Sequence, residues 1–430
     1  MKFVRSSLAA MICSALAGSG FGDTWTVGVT GDFADIQSAV DASAPGDSIL
    51  VEAGTYAPFE IAKPLNVLGA GPDVVHIEGT NTVDFVAMGI RDIAPFTSVV
   101  VSGMSFGMTD AVSGVPLVHL YDNSGAVLLH DIETTTSFLA THPGPVIQLT
   151  SSDWVTLDQS TVRGGGSFFF EEPSEAVFAI DSELWVYSSE LLGMGVDLGA
   201  TRIPEVALRA VDSVVYVADS TLKGGDGGIA QIGFDVACVD GAQAAVLQGS
   251  AIAKFVDGDF TTGQDGFHVA CNTPPGTGPD GTIELLGTSQ GIFSDNIQVN
   301  DPGIFAEPGA SATFNDLIYP TLALGPVRAA PGESFDVQLS GNPSSAGLLF
   351  YALGLGTNTF GLPGVDGVFA LNPLPFLGTV AVGLDAAGEQ VLPLVVPVDA
   401  SLLGVVVHFQ WLELDPSQNG LSNPTLLPVR

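Results

Sequence analysis

The chain has 430 residues, of which 47 are acidic and 11 basic, for a net charge of −36. That balance excludes partners that need a basic stripe: nucleic acid, anionic lipid and polyanionic glycans. Charged residues are only 13% and apolar ones 46%, so this is not an acidic disordered chain and it can build a long core.

Met1 to Gly22 reads as a secretory leader, with Lys2 and Arg5, an apolar run from Leu8 to Leu16, and small residues before a cut after Gly22. The run is too short to span a bilayer, and no later stretch offers about 20 continuous apolar residues. Cys13 leaves with the leader, as do two cations and no acid, which takes the net charge to −38. The expectation is an exported protein without membrane insertion, secreted or at the surface of a Gram-negative-type bacterium, and monomeric.

Thr24 to Val29 reads as a strand, and Asp32 to Ala42 as a short helix with Phe33, Ile36 and Val40 on one face and Asp32 as its N-cap. Pro45, Gly46 and Asp47 end the helix, Ser48 to Val51 is a strand, Gly54 to Tyr56 turns, and Ile61 to Leu68 continues the coil. From here the chain repeats itself. Met104, Ile132, Ser160, Ser189, Ser220 and Ser250 are anchors that recur at a period of about 30 residues, within the range of solenoid repeats. Two alternating apolar residues precede each anchor, from Val99 and Val101 to Ala245 and Leu247. A third strand precedes that pair in several units: Val146 to Leu149, Val177 to Ile180, Val206 to Val211 and Val236 to Val239. Short alternating strands at a fixed period describe stacked turns of a solenoid.

The segment "ADIQSAVDASAPGDSILVEAGTYAPFEIAKPLNVLGAG", Ala34 to Gly71, resembles the opening turn of the pectin-lyase-like superfamily. The resemblance implies a right-handed parallel β-helix capped by the first helix and continuing to about residue 315. That superfamily includes lyases, hydrolases, esterases and non-enzymatic surface proteins, so it speaks for fold more than for activity. Its catalytic devices do not carry over. There is no Gln-Asp-Thr or Leu-x-Gly-Arg-Pro-Trp segment, no Asp-Asp pair, and no basic cleft.

Stacking turns residues one period apart into neighbours, so outward columns can be written down. One reads Val100, Leu128, Thr156, Trp185, Tyr216, Val246; the next reads Ser102, His130, Asp158, Tyr187, Ala218, Gln248. Trp185, Tyr187 and Tyr216 would form an aromatic platform suited to the apolar faces of a polysaccharide or cell-surface glycan. The same column could instead lie under a loop or the second domain, since large exposed apolar patches are uncommon. Ser102, His130 and Asp158 supply the residue types of a nucleophilic triad, but at even rung spacing and with no oxyanion hole in view.

Asp181, Asp212 and Asp240 are assigned to one bend, near Asp122 and Asp153. Aspartate at a turn commonly caps its own backbone, and stacked carboxylates could alternatively share calcium, the only cofactor suggested here. Asp257, Asp259 and Asp265 form a second, weaker calcium candidate without the bidentate Glu of a calcium loop. The hexapeptide Gly233 to Cys238 repeats as Gly266 to Cys271. On successive rungs about 4.8 Å apart, Cys238 and Cys271 fall within disulfide reach, the alternative being two buried thiols.

Near Tyr319 the rhythm breaks. Strands then recur at short intervals between turns rich in Pro, Gly and Asn, which is a β-sandwich pattern. Val405, Val407, Phe409 and Trp411 share a face, and the ending "GVVVHFQWLELDPSQNGLSNPTLLPVR" resembles a module frequent in exported planctomycete- and myxobacterium-like proteins. The fold class is therefore all-β: a leader over 1–22, a parallel β-helix over 23–318 and a small β-sandwich over 319–430. Two functions stay open, a non-catalytic glycan-binding surface protein and a carbohydrate-active lyase, hydrolase or esterase.

Overall fold

The computed structural model describes residues 22–79, 85, 87–108, 115–136, 144–165, 175–195, 204–227, 229–232, 235–238, 240–264, 281–294, 297–300, 303–315, 318–353, 355–360, 364–367, 369–371, 377–416 and 419–430. Up to Asn315 these wind as a parallel β-helix. A large sheet follows an unbroken path of parallel strands from Thr24–Val27 to Ser311–Asn315, and a nine-stranded sheet runs from Phe59–Ile61 to Ile304–Ala306. Long strands such as Ser98–Met108, Ala126–Thr136 and Val214–Lys223 bend midway, dividing the large sheet into a front half and a back half. A coil therefore shows three outward faces. Inward columns such as Val99, Val127, Val155, Leu184, Val215 and Ala253 fill one continuous core.

The bends explain the repeated aspartates and serines. Between front and back halves one residue per coil is left-handed: Asp131, Gln159, Ser188, Asp219 and Asp257, with φ from 44° to 50°. After the nine-stranded sheet the same is true of Asp92, Asp122, Ser151, Asp181 and Asp212, with φ from 47° to 56°. A β-carbon makes that conformation costly, by about 1–2 kcal/mol, and Asp tolerates it better than most residues. After six of these ten the next residue is a serine: Ser160, Ser189 and Ser220 at the first bend, Ser152, Ser182 and Ser213 at the second. The Ser160 N–H donates to Ser189 Oγ at 3.1 Å and the Ser189 N–H to Ser220 Oγ at 3.2 Å. At the other bend the Ser152 N–H donates to Ser182 Oγ and the Ser182 N–H to Ser213 Oγ, both at 3.1 Å. Each ladder satisfies backbone groups that a bend would otherwise leave buried and unpaired.

The sixth repeat differs from expectation. Ser220 pairs with Gly258 rather than Ser250, which belongs to the other bend, beside the left-handed Gly249. The cause is an antiparallel hairpin, Ile229–Ile232 with Asp235–Cys238, inserted before the next coil. Of the strand expected over Val236 to Val239, the described residues up to Cys238 belong to the hairpin and not to a rung, and Ala245–Gln248 takes that place in the nine-stranded sheet. After Tyr216 and Ala218 the front columns continue in Lys254 and Val256 rather than Val246 and Gln248.

The helix spans Ile36–Ala42 and buries Ile36, Ala39 and Val40 against the first strands. Its N-cap is Asp35, which accepts the Ser38 N–H at 2.8 Å, whereas Asp32 accepts the backbone and hydroxyl of Thr26.

From Thr321 the pairing turns antiparallel. Thr321–Gly325, Ser334–Ser340 and Glu389–Val395 form one sheet; Ala346–Ala352, Leu377–Gly383, Val406–Leu414 and Thr425–Pro428 belong to another. Both contribute to a core containing Val337, Leu349, Phe409 and Trp411. Strand Val406–Leu414 is buried on both sides, because Val406 and Leu412 pack with Val100, Leu128 and Trp154 of the solenoid front. The C-terminal module is docked on the front face.

Candidate functional site

The structure brings the aromatic residues together as the columns require. Trp185 pairs in register with Tyr216, their rings 5.1 Å apart, and Trp154 stacks on Trp185 at 5.4 Å. Their role as an open glycan platform is corrected by what lies on top. Tyr187 is fully buried, and Tyr319 packs with Tyr187, Ala218 and Val256. Lys254 Nζ sits 3.6 Å from the Tyr319 ring centroid and pairs with Asp366 at 3.3 Å. Burial holds the Tyr187 and Tyr216 hydroxyls well above the usual phenol range. These rings are the bed of the C-terminal module, because an apolar outward column is stabilised by covering it.

Ser102, His130 and Asp158 do occupy consecutive rungs, yet they form a pin rather than a triad. His130 Nδ1 lies 3.1 Å from Asp158 Oδ2, and Nε2 lies 2.9 Å from the Val327 carbonyl. Both neighbours are acceptors, so both ring nitrogens carry hydrogen and the imidazole is cationic. Burial opposes that charge, but the Asp158 hydrogen bond and charge, aided by Val327 and Asp131, hold the His130 pKa above its ordinary value. No lone pair remains to take a proton from Ser102. Thr425 of the module donates to Asp158 Oδ2 at 2.7 Å, and Arg328 pairs with Asp131 at 2.5 Å. Beside this pin His408 is also buried, and desolvation with the His130 charge pulls its pKa down to about 3.

Of the calcium candidates, Asp181 and Asp212 share the left-handed bend, and Asp212 Oδ1 accepts the Ser250 N–H and hydroxyl. Asp240 does not join them, since Gly249 takes that register position. Asp257 is another left-handed bend residue, Asp259 lies two residues on along the back half, and Asp265 falls outside the described residues. Among the described residues no group of three His, Cys, Asp or Glu side chains could hold a metal. Cys238 lies on the antiparallel hairpin rather than on a rung, and Cys271 is outside the described residues.

The outward face of the nine-stranded sheet holds what sequence reading missed. Its register runs Glu60, Gly89, His119, Gln148, Phe178, Arg209 in one column and Arg91, Tyr121, Thr150, Ile180, Val211 in the next. Glu60 accepts from Arg91 Nε at 2.5 Å and from the Tyr121 hydroxyl at 3.1 Å. The His119 ring packs on Tyr121 at 4.5 Å, and Phe85 lies where a side chain at Gly89 would stand. Three coils further on, Arg209 pairs with Glu175 at 2.7 Å and with Glu205 at 3.4 Å. Burial first, and the Glu175 charge second, push the Glu205 pKa up to about 7, while Arg209 pulls it down. Unlike the front, this face is only half-buried. One signal could have found it, the opposite charges one coil apart at Glu60 and Arg91.

No family model matches the chain, and no curated protein matches it. Among solved structures it is similar to the pectate lyase Pel9A, at 12% identity and TM-score 0.29 over 65% of this chain and 70% of that one. It is also similar to the alginate lyase AlyGC of family PL6, at 11% identity and TM-score 0.21 over 66% of this chain and 52% of that one. A third is the enzymatically active domain of bacteriophage CBA120 tailspike protein 4, at 9% identity and TM-score 0.24 over 81% and 60%. None of these likenesses carries an argument about activity.

Proposed function

We propose that this is an exported surface protein that binds a neutral or weakly charged glycan on the outward face of its nine-stranded sheet. The observation that carries the reading is the half-open cluster of Glu60, Arg91, His119 and Tyr121, followed by Phe178 on the same face. Rings offer flat apolar surface, and paired carboxylate and guanidinium groups offer acceptors and donors to hydroxyls. The parallel coils repeat these positions about every 4.8 Å along a straight line, which suits an extended chain. Export rests on the leader, with Lys2, Arg5 and the run from Leu8 to Leu16. The acidic surface supports exclusion of polyanions.

The test is a panel of neutral polysaccharides, with binding and released products measured on the same samples. Tyr121→Ala with Phe178→Ala is expected to weaken binding about tenfold, equivalent to about 1.4 kcal/mol. Trp185→Phe, under the module, should leave it unchanged. Absence of binding across the panel, or loss of binding only in the Trp185 variant, would overturn the reading.

A second reading, cleavage of the glycan, is favoured by Glu205, a carboxyl held near pKa 7 beside Glu175 on the same face. It predicts products from the wild type and none from Glu205→Gln, with binding kept. A disulfide between Cys238 and Cys271 also remains a proposal of the sequence, and two reactive thiols in the unfolded, unreduced protein would refute it.

A further inference from the structure

We propose that the C-terminal end of the solenoid is an interaction surface for a second copy of this chain, with strands Ser311–Asn315 of the two copies pairing antiparallel about a two-fold axis. Both parallel sheets stop abruptly there. Among the described residues Ser311–Asn315 is the last strand of the large sheet and Ile304–Ala306 the last of the nine-stranded one, and among them each edge presents an unpaired row of N–H and C=O groups. The core is cut open with them. Phe255, Phe293 and Phe314 stack along one inward column, with centroids 5.2 Å and 5.3 Å apart, and the first two are fully buried. Phe314 is 65% exposed, and among the described residues no strand of the large sheet follows it. At the opposite end a helix lies against the first strands; among the described residues no helix lies over this one.

The occupant follows from charge and shape. Residues 303–315 contain one ionisable side chain, Glu307, in a chain whose net charge is −36. Two copies of so acidic a molecule repel least where charge is sparse, and a basic partner would choose another face. The strand carries no Lys and no Pro of the kind that blunts sheet edges. Its residues fit themselves. Ala312 and Phe314 continue the inward columns of Gly291 and Phe293, with Thr313 between them facing out. A two-fold axis through Thr313 sets Phe314 of one copy against Ala312 of the other, large against small, on both sides of the axis. A two-fold contact uses the same strand edge of both copies, so it closes as a dimer and does not grow into a filament.

The test is sedimentation equilibrium of the leader-free chain over a concentration series. The wild type is expected to rise from the mass of one chain to that of two. Phe314→Asp should stay at one chain and remain folded, melting close to the wild type at dilutions where that is also one chain, because Phe314 is largely exposed within a single chain. Ala312→Phe alone sets ring against ring and should weaken the dimer. The swap of Ala312→Phe with Phe314→Ala restores the large–small match and should restore it. A wild type that stays at one chain, a Phe314→Asp variant that still doubles, or a folded swap variant that fails to recover would each overturn the proposal.

Discussion

The front and the nine-stranded faces of the solenoid are built from the same coils at the same spacing, yet one is sealed and the other half-open. On the front, Val100, His130 and Asp158 are at most 1% exposed, whereas the side chains of Glu60, Arg91 and Arg209 keep 32%, 39% and 26% of their surface. Inward residues do not distinguish the two faces. Outward residues do: Val100, Leu128, Trp185 and Tyr216 on the front would leave a long apolar strip in water, and covering each large side chain is worth about 1.5–3 kcal/mol. The module takes that strip. The other face pairs its charges across coils and can stay wet. The outward column of a solenoid therefore records where a second domain docks as much as where a ligand binds.

The sharpest way to break this comparison is to remove one cation from each face. His130→Ala leaves the Asp158 carboxylate buried with Thr425 as its remaining hydrogen-bond partner. Orphaning a buried charge of this kind costs about 3–5 kcal/mol, which urea unfolding would read directly. Replacing His130 and Asp158 together by Leu should recover much of that loss. An effect of His130→Ala no larger than that of an exposed ion pair would mean the pin contributes nothing.

Acidity separates two histidines on the covered face. His130 has a raised folded pKa, so its contribution is complete below the unfolded value of about 6.5 and is lost as pH rises through the folded value. His408 has a folded pKa near 3, so its contribution is complete above about 6.5 and is lost as pH falls toward 3, with a slope of up to about 1.4 kcal/mol per pH unit. His408→Gln should flatten the acid limb of stability against pH, and His130→Gln the alkaline limb. Glu205 adds to the His130 trend, since a raised carboxyl pKa favours the folded state at lower pH. Denaturant midpoints from about pH 4 to about pH 9 test all three, and parallel curves for the variants would contradict the assignments.

How much of this was legible depends on whether the information is periodic. The columns through Trp185 and Tyr216, and through Ser102, His130 and Asp158, stand at the predicted register because a fixed coil length suffices to place them. The hairpin at Ile229–Cys238 makes one coil longer than those before it, and there the reading slipped onto the wrong bend at Ser250. Asp32 and Asp35 are chemically equal candidates for a cap, and only the bonds to Thr26 tell them apart. The Val327 carbonyl that turns His130 from a base into a cation lies far along the chain, beyond any repeat. The serine anchors were visible as a pattern, but their purpose was not. Ser189→Ala should cost about 1–2 kcal/mol by leaving the Ser160 N–H buried without its partner, measurable by thermal melting.

The smallest stability effect is expected on the open face, and there the change should appear in binding instead. Arg91 bonds Glu60 and Asp92, and both raise its pKa, Glu60 the more, but its side chain is 39% exposed. Water screens such a pair, so Arg91→Ala should cost less than about 1 kcal/mol, several times less than His130→Ala. The substitution would nevertheless leave the Glu60 carboxylate uncompensated beside the Tyr121 hydroxyl, removing the donors and making the surface more acidic. A neutral glycan would lose the guanidinium donors and meet a more strongly hydrated face, so its affinity should fall while melting hardly moves. Glycan affinity that survives Arg91→Ala, with stability falling as far as in His130→Ala, would show that the nine-stranded face is as structural as the front.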